Sequence, residues 1–214
     1  MAGCCDSRGC DGVFDDRFAR RVAKRYRTRG LSRTEQRIVD GIVARGVDGA
    51  TVLEIGGGVG ELQLELLRAG AERATNLELV DVYDVHARAL ATEAGLGDRI
   101  ERRIVDIAAD PRDVEPADVV VLHRVVCCYP DAERLLAAAA DHTNRLLVVS
   151  HPPRHAVTLA LLVLENAWQR VTGRTYRAFL HPPELMIDVL ERHGLRVVDT
   201  HRGLAWHVLV LSRP

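Results

Sequence analysis

At 214 residues, with 47% apolar and 28% charged side chains, the chain has the size and composition of one well-packed domain. A formal net charge of −1 argues against a bulk polyelectrolyte partner. The longest apolar stretch, Ala156 to Leu164, is about half of the roughly 18 residues that cross a bilayer, and Met1-Ala2-Gly3-Cys4-Cys5-Asp6 lacks the basic start and apolar core of a secretory signal, so a cytoplasmic protein without a membrane span is expected.

The N-terminal arm carries Cys4, Cys5 and Cys10. From Phe14 to Gly46 the pattern is helical: Phe14, Phe18, Val22 and Tyr26 recur four apart on one face. Ser32 is placed to cap a second helix, with Glu35 three residues on to complete a capping box. Nine Arg and Lys residues (17, 20, 21, 24, 25, 27, 29, 33 and 37) face only Asp15, Asp16 and Glu35 here. Residues 1–46 thus read as a cysteine-containing arm and a basic helical segment, and residues 47–214 as the main domain.

Strand and helix then alternate. Strands are expected at Thr51–Ile55, Thr75–Glu78, Ile100–Val105, Asp118–Leu122, Leu146–Ser150, Arg196–Thr200 and Trp206–Leu211. Helices fall between them at Glu61–Ala69, Val82–Ala94, Asp131–Asp141, His155–Val171 and Glu184–His193. The strands near 120 and 148 are continuous apolar runs, as in a parallel sheet covered on both faces. Only a short turn around Gly203 separates the final two, so they read as a hairpin.

The first strand runs into Glu54-Ile55-Gly56-Gly57-Gly58-Val59-Gly60, then into a helix. Strand, glycine turn, helix is the geometry that brings backbone N–H groups close to a polar ligand. The spacing fits neither a dinucleotide fingerprint nor a phosphate loop, since Glu61 follows Gly60 and no lysine stands nearby. Glu54, two residues before the first glycine, suits a ligand with a cationic amino-acid end and would repel a pyrophosphate. Glu78 ends the second strand 18 positions after Gly60, beside Leu79. An acid there can accept hydrogen bonds from both ribose hydroxyls of a nucleoside.

Glu-x-Gly-x-Gly-x-Gly followed by Glu78 and then by Asp106-Ile107 past the third strand resembles the class I S-adenosylmethionine (SAM)-dependent methyltransferases. The resemblance covers roughly residues 50–212. It implies an α/β, Rossmann-like sheet, mostly parallel with a C-terminal antiparallel strand, and N-terminal helices that act as a lid. It implies SAM as cofactor, held by Glu54, Gly56, Gly57, Gly58, Gly60, Glu78, Leu79, Asp106, Ile107 and His123, with Asp106 by the adenine amino group. The segments Leu164 to Trp168, His181-Pro182-Pro183-Glu184 and Leu190 to Leu195 are similar to magnesium-protoporphyrin O-methyltransferases. Those act on a carboxylate, and a basic lid would suit an anionic small-molecule substrate.

In this fold the substrate side lies where the fourth and fifth strands end. That places His123, Arg124, Cys127, Cys128, Tyr129 and His151 near one cleft. Methyl transfer needs alignment and removal of a proton, and His123 is the first candidate base because its ordinary pKa lies near neutrality. Tyr129 and His151 are the other catalytic candidates. Three function classes follow: methyl transfer to oxygen or nitrogen of a small molecule, a metal- or metalloid-handling protein using the clustered cysteines, and a nucleic-acid methyltransferase or binder using the basic helices. Adjacent cysteines diverge, so no metal site is assigned, and the spaced cysteines of arsenite methyltransferases are not reproduced. No Asn/Asp-Pro-Pro-Tyr motif follows the fourth strand, which weighs against base methylation and leaves a nucleic-acid partner unexpected.

Overall fold

The computed structural model describes residues 13–214. Two N-terminal helices, α1 (Asp16–Arg29) and α2 (Arg33–Val43), precede an alternating series. It runs β1 (Thr51–Ile55), α3 (Glu61–Arg68), β2 (Arg73–Glu78), α4 (Asp84–Glu93), β3 (Ile100–Ile104), β4 (Ala117–Leu122), α5 (Ala132–Asp141), β5 (Thr143–His151), α6 (Ala156–Val171), α7 (Pro183–Arg192), β6 (Arg196–Arg202) and β7 (His207–Ser212). One sheet holds all seven strands in the order β3-β2-β1-β4-β5-β7-β6. β7 lies antiparallel to β5 and β6, while the β1, β2, β3, β4 and β5 pairings are parallel. This is the mostly parallel sheet with an antiparallel C-terminal strand expected from the sequence.

Local chemistry sets the elements. The Asp15 carboxylate caps α1 by accepting from the Phe18 N–H at 2.8 Å, and Gly30, at φ +67°, ends it. The expected capping box opens α2: Ser32 Oγ accepts from the Glu35 N–H, and the Ser32 N–H donates to Glu35 Oε2 at 2.6 Å. α4 begins two residues later than expected, because a turn in which the Asp84 N–H donates to the Asp81 carbonyl at 2.8 Å precedes it. β5 is longer at both ends than expected, its pairing with β7 carrying it through His151.

Successive strand residues point to opposite faces, and the core divides accordingly. Val52, Val119, Val121, Leu146 and Val148 pack on one side against Ala19, Ala23, Ile38, Ile42, Leu64 and Leu67. Leu53, Val120, Leu122, Leu147 and Val149 pack on the other against Leu135, Leu136, Met186 and Leu190. The N-terminal helices therefore share the core of the sheet. Between β1 and β4 the strand order reverses, and there the loops leaving the two strands open a crevice. No helix among the described residues is long and apolar enough to cross a membrane.

Candidate active site

The crevice holds a cavity of about 370 Å³, walled by the loops after β1, β2, β3 and β4 and roofed by α1. Gly58 sits at φ +56°, and a Cβ built on it would meet nothing closer than the Tyr83 ring at 3.8 Å. Its open side is therefore the cavity, and only glycine takes that backbone shape without strain. Gly57 is small for a different reason: a Cβ would fall 2.3 Å from Asn76 Nδ2 and 2.6 Å from Glu54 Cδ. Gly56 lies against Val125, and Gly60 against Gln63.

Beneath this loop lies a polar cluster. Glu54 is 3% exposed, and its Oε2, both amide atoms of Asn76 and Gln63 Oε1 are buried without hydrogen-bond partners among the described residues. Burial, with the nearby Glu61 charge, pushes the Glu54 carboxyl well above the usual range. Such a group is relieved by a cation arriving at the loop. Glu78 accepts from the Gly58 N–H and from the Leu79 N–H, and burial raises its carboxyl to about 7. Asp106, beyond β3, accepts the Tyr129 hydroxyl at 3.0 and 3.1 Å and the Ala108 N–H at 3.1 Å. Leu79 and Ile107 supply apolar wall between the two acids.

The loop after β4 forms the opposite side. Arg124 has φ +64°, the only described non-glycine residue in the left-handed region. Its N–H donates to Ser150 Oγ at 3.0 Å, and its guanidinium lies 5.0 Å over the Trp206 ring. Ser150 Oγ also lies 2.8 Å from His123 Nδ1, while His123 Nε2 is 3.8 Å from Glu35 Oε1. Burial holds the His123 ring below its ordinary pKa, so it is neutral at neutral pH. Burial would raise Glu35, but the facing His123, the Ser32 N–H and Arg25 bring it down to about 2. The Arg25 guanidinium bridges Glu35 at 2.9 Å and Glu61 at 3.1 Å. Burial raises Glu61 to about 7.

Of the residues singled out in the sequence, Glu54, Gly56, Gly57, Gly58, Glu78, Leu79, Asp106, Ile107, His123 and Tyr129 line this cavity. Gly60 stands behind it as the residue before α3. His151 is placed elsewhere: it is the last residue of β5, and side chains alternate along a strand, so it is the preceding Ser150 that reaches His123 behind the cavity wall. The His151 ring packs 5.3 Å from His207 and lies 3.0 Å from the Pro152 carbonyl. The nine cations of the basic segment also miss the cavity. None is among its described lining residues, where α1 contributes Phe18 and Val22 and the residues before it Phe14. Arg25 is committed to Glu35 and Glu61, Arg20 to Asp16, and Arg27 to Glu93.

Cys127 and Cys128 come together in the cavity wall with sulfurs 3.8 Å apart, and the Tyr176 hydroxyl is 3.0 Å from Cys128 Sγ. Cys4, Cys5 and Cys10 lie outside the described residues. Among those described, no three His, Cys, Asp or Glu side chains are grouped to hold a metal ion.

A sequence model of the methyltransferase domain matches residues 18–200. The chain belongs to the SAM-dependent methyltransferases. Its cofactor is SAM, and the orphaned acid beneath the glycine loop and the glycine cradle fit a cationic nucleoside ligand. Solved structures share the fold. The magnesium protoporphyrin IX methyltransferase ChlM from Synechocystis PCC 6803, with bound SAH (S-adenosylhomocysteine), is 22% identical with a TM-score of 0.75, covering 98% of this chain and 100% of that one. An O-methyltransferase family protein from Burkholderia thailandensis is 21% identical with a TM-score of 0.72, covering 97% of this chain and 63% of that one. An O-methyltransferase family 2 protein from Planctomyces limnophilus DSM 3776, in complex with apigenin, is 20% identical with a TM-score of 0.65, covering 97% and 65%. No curated protein sequence matches the chain.

Several residues of this methyltransferase site were not singled out as site residues from the sequence. Asn76 carried no signal, because its strand, Arg-Ala-Thr-Asn-Leu-Glu, is polar at most positions. Glu35 was visible only as a helix cap, and nothing in its spacing shows that it also reaches His123. Arg25, Glu61, Ser150, Tyr176 and Trp206 meet only through long-range packing.

Proposed function

We propose that the protein transfers a methyl group from SAM to an oxygen or nitrogen of a small acceptor, with residues 14–46 serving as the lid. The observation that carries this reading is that Glu78, Asp106 and the Gly56–Gly60 loop face one cavity opposite His123. In it, Glu78 takes the ribose hydroxyls, Asp106 the adenine amino group, and Leu79 and Ile107 the flanks of the base. Glu54 and Glu61 face the cationic end of the ligand, and Arg124 its carboxylate.

SAM supplies an electrophilic methyl carbon for in-line displacement. The protein must align the acceptor and take its proton. Ser150 Oγ accepts the Arg124 N–H, so its own hydrogen is free to point at His123 Nδ1. The other nitrogen then carries its hydrogen toward the ionised Glu35, since a lone pair facing a carboxylate would be repelled. His123 is thereby held neutral with Nδ1 basic. Taking up the acceptor's proton makes His123 an imidazolium, and the facing Glu35 carboxylate stabilises it. Tyr129, bonded to Asp106, keeps that acid oriented. The acceptor enters under Phe14, Phe18, Tyr176 and Trp206, a mostly apolar mouth in which Arg124 is the sole Arg or Lys among the described lining residues.

Calorimetric titration of SAM and SAH into wild type and Glu78→Ala tests the reading. Binding that the variant greatly weakens supports it; no binding to folded wild-type protein ends it.

A further inference from the structure

Helix α6 is the anomaly of the fold. Val157, Leu161, Leu164, Trp168 and Val171 repeat every three or four residues along one side, and Leu159 and Val163 add a second apolar side. A helix this apolar belongs in a core, yet Leu161 is 62% exposed, Trp168 61% and Val171 81%. Only Gln169 of its residues is buried. The helix is nevertheless pinned in place. Asn166 Nδ2 donates to the Ala178 carbonyl at 2.8 Å, and the Ala178 N–H returns a bond to Asn166 Oδ1 at 2.9 Å.

Between the pinned helix and the segment around Phe179 lies a groove of about 810 Å³. Leu161, Leu162, Leu164, Trp168, Val171 and Phe179 line it. Its one ionisable carboxylate, Glu165, accepts the Gln169 amide at 2.6 Å. Cys127 belongs to the wall of both this groove and the SAM cavity, so the two adjoin at this residue. The Phe179 N–H donates to the Cys127 carbonyl at 2.7 Å, which fixes the junction. The cavity, at about 370 Å³, is at the small end of the ~300–1,000 Å³ typical of ligand sites, and a nucleoside joined to an amino acid takes up most of it. A methyl acceptor of any size must extend beyond it.

We propose that the groove between α6 and Phe179 seats the apolar body of the methyl acceptor, a large hydrophobic molecule with an aromatic or polycyclic face, whose reactive end passes Cys127 into the cavity. This rests on the SAM reading above. It assigns specificity to Leu161 and Trp168, which touch no part of the cofactor cavity. Trp168 offers a flat ring for stacking, and the leucines contribute the apolar area that holds the body in place.

The test uses the full chain saturated with SAH and the neutral bicyclic probe N-phenyl-1-naphthylamine, followed by its fluorescence. Leu161→Gln and Trp168→Gln each change a side chain already exposed to water, so the fold is retained. Val85→Gln, at an equally exposed apolar position on α4, is the control. The probe should bind wild type and the control alike and weaken by about tenfold or more in either groove variant, the scale of one lost buried apolar contact. SAH affinity should stay unchanged throughout. Absence of probe binding, or equal binding in all four proteins, overturns the proposal. So does a dimer, or adhesion to phosphatidylcholine vesicles, that the groove variants abolish while probe binding persists. Failure of SAH itself to bind would instead overturn the cofactor reading.

Discussion

Glu35 joins two tasks: its carboxylate accepts the Ser32 N–H at 2.6 Å as a helix cap and lies 3.8 Å from His123 Nε2 in the active-site cavity. The start of the lid's second helix and the orientation of the candidate base thus depend on one side chain.

His123→Ala should lower kcat by about 10²–10⁴-fold, the usual contribution of a general base, while leaving SAH binding largely intact. Glu35→Gln keeps much of the cap but removes the charge that favours protonated His123. With His123 as the proposed neutral base, the rate should fall as pH drops through its pKa. The acid limb of the kcat profile should therefore move to lower pH in Glu35→Gln. An unmoved limb would show that another group titrates there.

Glu78→Ala should weaken SAM binding by about 1.5–3 kcal/mol, the scale of hydrogen bonds to a charged group. The wild-type affinity should also depend on pH. Free Glu78 titrates at about 7 because it is buried, and ribose hydroxyls favour its ionised form. Binding therefore releases a proton below that value: affinity rises with pH up to about 7 and then flattens. In Glu78→Gln this dependence should shrink, leaving the part due to Glu61, which titrates in the same range. Calorimetry in two buffers of different ionisation enthalpy measures the proton directly.

The glycines separate folding from binding. In Gly57→Ala the new methyl falls on Asn76 and Glu54, a packing clash worth about 1–3 kcal/mol, so thermal unfolding should show the loss. In Gly58→Val the new side chain points into the cavity and SAM binding should disappear, with a smaller stability cost from the positive φ. Equal effects of both changes on stability and binding would contradict the geometry.

Cys128 should be the more reactive of the paired thiols. The Cys127 thiol hydrogen bond, and that of the Tyr176 hydroxyl, lower its pKa, whereas the Cys128 contact and burial raise Cys127. Iodoacetamide at pH 7.5 (about one unit below a free thiol) should label Cys128 first, and SAH should slow the labelling by filling the cavity both residues line. Mass spectrometry of the 127–128 peptide reads the outcome.

Local pattern carried most of the fold. The glycine loop, the acid at the end of β2 and the capping box of α2 depend on near neighbours, so spacing revealed them, whereas Asp106 past β3 entered through the family resemblance. What stayed hidden depends on the two-residue period of a strand and on distant packing. A one-residue extension of β5 turned His151 away and brought Ser150 to His123. The basic helical segment shows the same limit of spacing: its charges are frequent in sequence, but the residues there that meet the cavity are Phe14, just before α1, and Phe18 and Val22 on it.

α1 places Phe18 and Val22 on the cavity and Ala19, Ala23 and Tyr26 in the core beside the sheet. A molecule gripped by this helix is therefore gripped by a piece of the protein's own foundation. Filling the cavity with ligand at 100 times its Kd adds about 2.7 kcal/mol against unfolding, an appreciable share of what holds a domain of this size together. Donor supply and resistance to unfolding are thereby linked: an emptied cavity costs the molecule both its reactant and that part of its stability.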